Sequence, residues 1–249
     1  MSTIRPFKAI RPREDLASSV AALPYDVYNT AEARAEVERE PLSFLRIDRA
    51  ETQFPKGTDP YSDIVYKKAR EILDSMISDG SFIQDDKPCF YIYALTMNGR
   101  TQNGIVGCAS IDDYISQVIL KHENTLEAKE QDRIRHVDTC SAQTGPIFLT
   151  YRPVAELKSV VSSIKRTPCL YDFTSSDGVR HQVWMTDDDS CIENISQLFA
   201  HVPHLYIADG HHRAASAVKA GLKRRAENPG FSGSEEYNYF LSVLFPSDG

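Results

Sequence analysis

Short apolar runs alternate along the chain with amphipathic stretches, and Gly, Pro, Asn, Asp and Ser separate them. Apolar runs of about four to eight residues between turn residues are typical of buried strands. The pattern predicts single strands at residues 7–10, 43–47, 146–151, 205–207 and 237–245. It also predicts two hairpins, at 88–111 and 170–185, the second with Ser-Asp-Gly at its turn.

Stretches with helical composition or spacing lie between these strands. They cover residues 14–22, 60–78, 121–137, 155–164, 191–201 and 211–220. The second has Pro60 near its first position and Gly80 just past its end, which are common residues at helix boundaries. Because strands and helices are interleaved, the sequence predicts an α/β or α+β fold.

The strand predicted at 237–245 is followed by Pro246-Ser247-Asp248-Gly249. Turn residues after a buried strand usually lead to a partner strand. We therefore expect this chain to be the first part of a larger protein, truncated at its C-terminus.

Composition narrows the class of protein. The chain has 249 residues, of which 41% are apolar, enough for a core in one large or two smaller domains. Its net charge of −7 argues against a protein that wraps nucleic acid. The sequence shows neither a signal peptide nor a run long enough to span a membrane, so we expect a cytoplasmic protein. The oligomeric state is not indicated.

The stretch LYIADGHHRAASAVKAG, residues 205–221, combines a strand, a turn and a helix. The first helical turn carries His211, His212 and Arg213, although a helix N-terminus favours acidic residues. Free backbone N–H groups, together with Gly210, form a site where an anion can approach. One interpretation is a phosphate clamp in which Arg213 holds two oxygens. The alternative is that the histidines are neutral and Arg213 pairs with a nearby carboxylate.

The stretch KHENTLEAKEQDR, residues 121–133, has too few apolar positions for a helix face that packs on a core. On a helix, Glu123 and Glu127 are four residues apart, as are Lys129 and Arg133. Like-charge pairs at this spacing are destabilising unless an opposite charge lies against them. A phosphate over the basic pair and an amine or cation over the acidic pair would fit. A solvated surface helix is the alternative.

A third candidate is Glu14, in IRPREDLA at residues 10–17. It is either an acid in the first turn of a helix or a carboxylate that accepts a proton from a substrate hydroxyl. The spacing does not distinguish the two. The chain has none of the common glycine-rich phosphate loops and no His-Glu-x-x-His, so any nucleotide is bound by a different kind of site.

The strand-Asp-Gly-His-His-Arg-helix segment resembles the motif by which free serine kinases of the ParB/sulfiredoxin-like superfamily hold nucleotide phosphates. Over nearly its whole length the chain also resembles the bacterial family called domain of unknown function family 1015. The shared segments appear in the order RPREDLA, LPYDVYN, EPLSFLRI, KHENTLEAKEQDR, QTGPIFLTY and ADGHHR.

The resemblance implies one ParB/sulfiredoxin-like domain over residues 1–249, with an inserted segment at about 50–200. Pro12-Arg13-Glu14 is similar to the Pro-x-Glu that supplies the catalytic glutamate of the serine kinases. Asp209, His211, His212 and Arg213 are then implied as phosphate-site and metal-site residues.

These observations lead to the hypothesis of a phosphotransferase that uses ATP or ADP with Mg²⁺ and acts on a small hydroxylated metabolite, free serine being the best guess. Glu14 would be the general base, and Asp209 would help to place Mg²⁺ or orient His211. The donor phosphates would contact Gly210–Arg213, with Lys129 and Arg133 stabilising the transferred group.

The candidate substrate-binding residues are His122, Glu123 and Thr125, with Glu123 a partner for an ammonium group. The alternative hypothesis is a nucleotide-binding switch or scaffold of the ParB-like type, without phosphate transfer.

Overall fold

The computed structural model describes residues 1–125 and 127–248, without the side chains of residues 128 and 129. Within these residues the main feature is a mixed sheet of nine strands, accompanied by a separate two-stranded sheet. The strands are β1 (Ile4–Arg5), β2 (Ile10–Pro12), β3 (Phe82–Gln84), β4 (Phe90–Met97), β5 (Arg100–Ser110), β6 (Ile119–Leu120), β7 (Ile147–Tyr151), β8 (Tyr171–Thr174), β9 (Arg180–Thr186), β10 (Leu205–Asp209) and β11 (Tyr239–Pro246).

Helices lie between most of the strands, so the α+β class predicted from the sequence is confirmed. They are α1 (Ala17–Val20), α2 (Thr30–Arg39), α3 (Leu45–Asp48), α4 (Asp63–Ser78), α5 (Ile111–Ile115), α6 (Glu127–Cys140), α7 (Ala155–Ile164), α8 (Asp189–Ala200) and α9 (His211–Glu227). Short 3-10 segments occur at Glu14–Leu16, Tyr25–Val27, Ala50–Gln53 and Glu236–Asn238.

The main sheet runs in the order β6, β10, β7, β11, β5, β4, β9, β8, and β1 also pairs with β5. β7 is parallel to β11 and β10 is parallel to β6, whereas the other neighbours are antiparallel. The predicted hairpins are confirmed as β4–β5 and β8–β9. Asn98 and Gly99 both have positive φ, 52° and 77°, as a tight hairpin turn with matching twist requires.

Two apolar clusters form most of the interior. The larger one joins the sheet to α7, α8 and α9, and Ala214 and Ala217 of α9 are buried in it. Small residues at these positions let α9 lie close to the sheet, as the sequence predicts. The smaller cluster joins α1, α3 and α4 to β3, and Cys140 of α6 is also buried in it. α6 therefore lies between α4 and α9 and contacts both helices.

The structure corrects several predicted elements. Residues 43–47 are not a strand, because Leu45–Asp48 form a helical turn whose Leu45 and Ile47 are buried. The strand predicted at 7–10 does not form as one element, because β1 ends at Arg5 and β2 begins at Ile10, and Phe7 makes one isolated bridge to Cys89.

The starts of two helices and the end of another also differ. α4 begins at Asp63 rather than at Pro60. α6 begins at Glu127, so Glu123 precedes the helix and does not form the predicted pair with Glu127 on one face.

α9 continues through Gly221 to Glu227 and does not end at Gly221. A Cβ at this position would lie 2.3 Å from the carbonyl oxygen of Tyr237. Gly221 is thus a packing residue rather than a helix stop.

Residues 50–200 supply β4, β5, β7 and β9 to the interior of the sheet. The ParB/sulfiredoxin-like core with an insertion at 50–200 stays a prediction. No helix in the described ranges has the length and apolar character needed to cross a bilayer.

Candidate functional site

The first turn of α9 follows β10 through Gly210, whose φ of +88° and ψ of 33° are left-handed. Glycine adopts this conformation without steric cost. An added Cβ at Gly210 would also lie 3.1 Å from Nε of Arg213. The Arg213 side chain therefore folds back over the start of its own helix. The N-cap residue Gly210 has no side chain that could cap the first N–H groups of α9.

Arg213 has two partners in this position. Its Nη2 lies 2.6 Å from Oδ2 of Asp209, and its Nη1 donates to the carbonyl of Pro146 at 2.8 Å. The Arg213 side chain is 17% exposed and that of Asp209 is 67% exposed. This arrangement matches the alternative interpretation of the sequence, in which Arg213 pairs with a nearby carboxylate. Because Asp209 is largely in water, its pair with Arg213 contributes little to stability.

His211 is buried, with 5% of its surface exposed. Its ring packs edge-on against His122, with centroids 4.5 Å apart, and its Nδ1 lies 3.7 Å from Oε2 of Glu123. Burial lowers the pKa of His211, and His122 adds to this effect. Its Nε2 is buried without a hydrogen-bond partner among the described residues. His211 is therefore neutral at physiological pH and brings no charge to the turn.

The loop before α6 covers this end of α9. Thr125 donates a hydrogen bond to Glu130, which also pairs with Lys219 of α9. Burial acts to raise the pKa of Glu130, but the bonds from Lys219 and Thr125 hold it below its usual value. Of the three predicted substrate-binding residues, the structure brings His122 and Glu123 against His211 in the first turn of α9, whereas Thr125 is linked through Glu130 to Lys219, two turns further along the helix.

His212 is half-buried, and its carbonyl accepts a hydrogen bond from Ser216 at 2.7 Å. Lys129 belongs to α6, but its side chain lies outside the described part of the protein.

Arg133 of α6 is buried, and its guanidinium lies 4.2 Å from the ring centroid of Tyr25. Its Nη2 pairs with Oδ2 of Asp132 at 2.9 Å. Asp132 in turn accepts a hydrogen bond from the Tyr66 hydroxyl at 2.7 Å. Arg133 is thereby fixed in place, whereas Arg213 is held by a partner that water can replace.

Arg133 and Arg213 line the same cavity, which we call the arginine cavity and which has a volume of about 260 Å³. Polar side chains from α6 and from four other segments of the chain join them. The polar lining consists of Tyr25, Asp48, Tyr93, Arg133, His136, Gln143, Thr144 and Arg213. A volume near 300 Å³ is at the lower end of small-molecule pockets. The arginine cavity can therefore enclose a phosphorylated group or a small metabolite.

A second cavity of about 280 Å³ adjoins the first one. Tyr25, Asp48, Arg133 and His136 line both. Nε2 of His136 lies 3.1 Å from the Ile47 carbonyl and 4.0 Å from Oδ1 of Asp48. Burial lowers the pKa of His136, and Arg133 adds to this. His136 is thus a neutral side chain, and the arginines are the cations that face the first cavity.

Cys108 and Cys140 are unsuited to nucleophilic chemistry. Burial raises the pKa of the Cys108 thiol to about 12 and that of Cys140 to about 12. A thiolate is the reactive form, and burial in apolar surroundings suppresses it.

Comparison with known families agrees with the segment order noted in the sequence. The profile of the family described as Protein of unknown function (DUF1015) matches residues 4–249. The chain belongs to this family. No curated protein and no solved structure matches it.

In this DUF1015 protein Glu14 lies apart from the arginine cavity. It is exposed in the 3-10 segment before α1, and its charge acts on Tyr171 of β8. Tyr171, Val183 and Tyr93 form one row across β8, β9 and β4. Neighbouring strands are about 4.8 Å apart, so Tyr171 is roughly 10 Å from the cavity residue Tyr93. The structure does not place Glu14 beside the predicted phosphate residues.

Sequence reasoning missed several residues that line the cavity of this DUF1015 protein, above all Tyr25, Asp48, Tyr93 and His136. For His136 a signal was available, because it follows Arg133 by three residues and so shares its helix face. For Tyr93 and Asp48 there was none, since the fold brings them to the cavity from β4 and α3.

Proposed function

We propose that this protein is a nucleotide-dependent phosphotransferase that uses ATP or ADP and acts on a small hydroxylated metabolite, with free serine the first acceptor to test. One observation carries the proposal. Two guanidinium groups, 80 residues apart in the chain, line one cavity, and one of them belongs to a helix whose N-cap residue is Gly210 in a left-handed conformation. Arginine forks and free helix N–H groups are the standard partners of phosphate.

The donor phosphates would contact the N–H groups of residues 211–213 and the two arginines. Arg213 would exchange its pair with Asp209 for a phosphate, an exchange with a small cost because Asp209 is exposed. Arg133 would keep its bond to Asp132 and present its remaining N–H groups. Lys129, predicted to join them, precedes Arg133 by one helical turn.

Mg²⁺ would share the phosphate oxygens. It is commonly held in kinases by one or two carboxylates together with phosphate oxygens and water. Asp209, exposed at the end of β10, offers such a carboxylate once Arg213 turns to the phosphates. The described residues contain no ready-made group of three metal-binding side chains. Bound Mg²⁺ would neutralise charge on the phosphates.

The acceptor would bind either in the arginine cavity or near the loop before α6, which follows edge strand β6, five strands from β4 and Tyr93. Glu123 is exposed and lies against His211, so an ammonium group could pair with it. The predicted role of Glu14 as general base requires an acceptor that reaches from the cavity toward β8, and it stays a prediction.

A second function has one observation in its favour. The anion-binding residues converge on a cavity while Glu14 does not, which is what a nucleotide-binding switch without transfer would need.

The experiment is an incubation of the protein with ATP or ADP, Mg²⁺ and a panel of hydroxylated amino acids, read by mass spectrometry. We expect a new phosphomonoester, with phosphoserine the product to look for first. The amount of product should increase in proportion to the concentration of the protein. Nucleotide binding measured by calorimetry without any phosphomonoester would support the switch. Absence of nucleotide binding would reject both functions.

A further inference from the structure

A chain of four polar side chains leads away from the arginine cavity across β4, β9 and the β8–β9 turn. The Tyr93 hydroxyl lies 2.6 Å from Nδ1 of His181. Nε2 of the same ring lies 2.9 Å from Oγ of Ser175, which donates to Oδ1 of Asp177 at 2.5 Å. These contacts are independent of the motifs that point to phosphate binding.

The direction of each hydrogen bond follows from the last one. Ser175 has a single hydroxyl proton, and the Asp177 carboxylate is the strongest acceptor within its reach. Because the Ser175 proton is used in the bond to Asp177, Nε2 of His181 must be the donor in its bond with Ser175. The neutral ring then has a bare Nδ1, so the Tyr93 hydroxyl donates to it. Each hydrogen bond in the chain is thus donated in the direction from Tyr93 toward Asp177.

The ionisation states suit this alignment. Burial lowers the pKa of His181, against the opposing effect of Asp177, so the ring is neutral at physiological pH and can accept a proton. Burial raises the pKa of Tyr93 to about 12, so its hydroxyl keeps its proton at rest. Phe173 stacks on the imidazole with centroids 5.1 Å apart and fixes its plane.

The two ends of the chain have different surroundings. Tyr93 is one of the residues that line the arginine cavity. Asp177 is exposed on the β8–β9 turn. A proton that enters at Tyr93 therefore has a hydrogen-bonded route to water that does not pass through the cavity.

We propose that His181, acting through Tyr93, accepts the proton of the acceptor hydroxyl, an inference that rests on the proposed phosphotransferase function. The acceptor O–H passes its proton to Oη of Tyr93 while Tyr93 passes its own proton to Nδ1 of His181. The acceptor oxygen forms a bond to the transferred phosphorus, and the bond from that phosphorus to the bridging oxygen of the donor breaks. The electron pair leaves with the shortened nucleotide. His181 becomes an imidazolium ion that Ser175 and Asp177 stabilise.

This assignment replaces a distant carboxylate with a group that lines the cavity. A general base must reach the proton that it removes directly or through one hydrogen-bonded group. Tyr93 shares the cavity with Arg133 and Arg213, whereas Glu14 lies near Tyr171 on β8, two strands from β4 and outside the cavity lining.

The test compares Tyr93→Phe, His181→Gln and the control Tyr171→Phe. Tyr171 lies in the same cross-strand row as Tyr93 but outside the cavity lining, and it also loses a hydroxyl with hydrogen-bond partners. Tyr93→Phe and His181→Gln should each lower kcat by about 10²-fold or more, with nucleotide Kd unchanged within about twofold. The double variant should be no slower than the worse single variant, because the two act as one unit. Tyr171→Phe should keep kcat.

The outcomes separate this inference from the proposed function. A wild-type protein that forms no phosphomonoester overturns both. A wild type that transfers phosphate, with kcat retained in Tyr93→Phe and lost in Glu14→Gln, overturns the relay and leaves the phosphotransferase intact. Thermal unfolding of each variant guards against a folding defect. If Tyr93→Phe is destabilised, His181→Gln decides the question by the same loss or retention of kcat.

Discussion

The two ends of α9 differ in how well their charged side chains match the helix dipole. At the C-terminal end, Arg224 and Arg225 occupy the last turn, where cations are favoured, and pair with Asp138 and Asp112. At the N-terminal end no acidic residue occupies the first turn, and Arg213 is folded over the helix start. One helix therefore has an end whose charges match its dipole and an end whose charge, under the proposed function, an anionic ligand would complement. A departure from the electrostatic rule at one end, beside a cavity, is the better guide to function.

The largest expected effect concerns the packing of the C-terminal half of α9. Gly221→Ala would place a Cβ 2.3 Å from the Tyr237 carbonyl oxygen and 2.8 Å from Cδ1 of Ile111. Backbone must move to relieve this clash, so the free energy of unfolding should fall by about 3 kcal/mol. Urea denaturation measures it. Gly230→Ala is the control, because a Cβ there meets only Asn228 Oδ1 at 3.9 Å. Equal stability of the two variants would show that α9 does not need close contact with residue 237.

A smaller effect, on nucleotide affinity, should distinguish the two ends of α9. Arg213→Ala should weaken nucleotide binding by about 1.5–3 kcal/mol, the range for hydrogen bonds to charged groups, with little loss of stability. Arg225→Ala is a matched control, since its side chain is 14% exposed and its partner Asp112 is 62% exposed. It should bind nucleotide as wild type does. Calorimetric titration of both variants measures the difference, and equal affinities would make Arg213 a structural residue like Arg225.

The sequence predicted the start of α9 well but could not explain it. The strand, Gly210 and the basic first turn are local features, and they appear as predicted. The pair of Arg213 with Asp209 is also local, because the two residues are four apart. The neutral state of His211 depends on its burial and on the loop at His122 and Glu123, about 90 residues away in the chain, and no local pattern reveals that contact.

The errors elsewhere have similar causes. The run SFLRI at 43–47 is too short to tell a strand from a buried helical turn by periodicity. Gly221 is typical of a helix end, but here it allows the backbone at Tyr237 to approach. Tyr93 was recognised as a strand residue, and only the sheet order brings it to the arginine cavity.

The smallest expected effect is the dependence of stability on pH at the N-terminal end. Burial lowers the pKa of His211 from its ordinary value of 6.5, so the unfolded chain binds the proton more tightly than the folded one. Stability should therefore be highest above about pH 6.5 and fall as the pH drops toward the folded-state pKa. His136 and His181 act in the same direction. His211→Gln should lose less stability than wild type between pH 7.5 and 5.5. Parallel urea-denaturation curves for the two proteins at both pH values would contradict this.

The claim that the reversed charge of α9 serves a ligand is tested most directly by a crystal structure of the protein with ADP and Mg²⁺. The account predicts phosphate oxygens within hydrogen-bond distance of the N–H groups of residues 211–213 and of the Arg213 guanidinium, which leaves Asp209. Nucleotide phosphates bound elsewhere, with Arg213 still paired to Asp209, would contradict it.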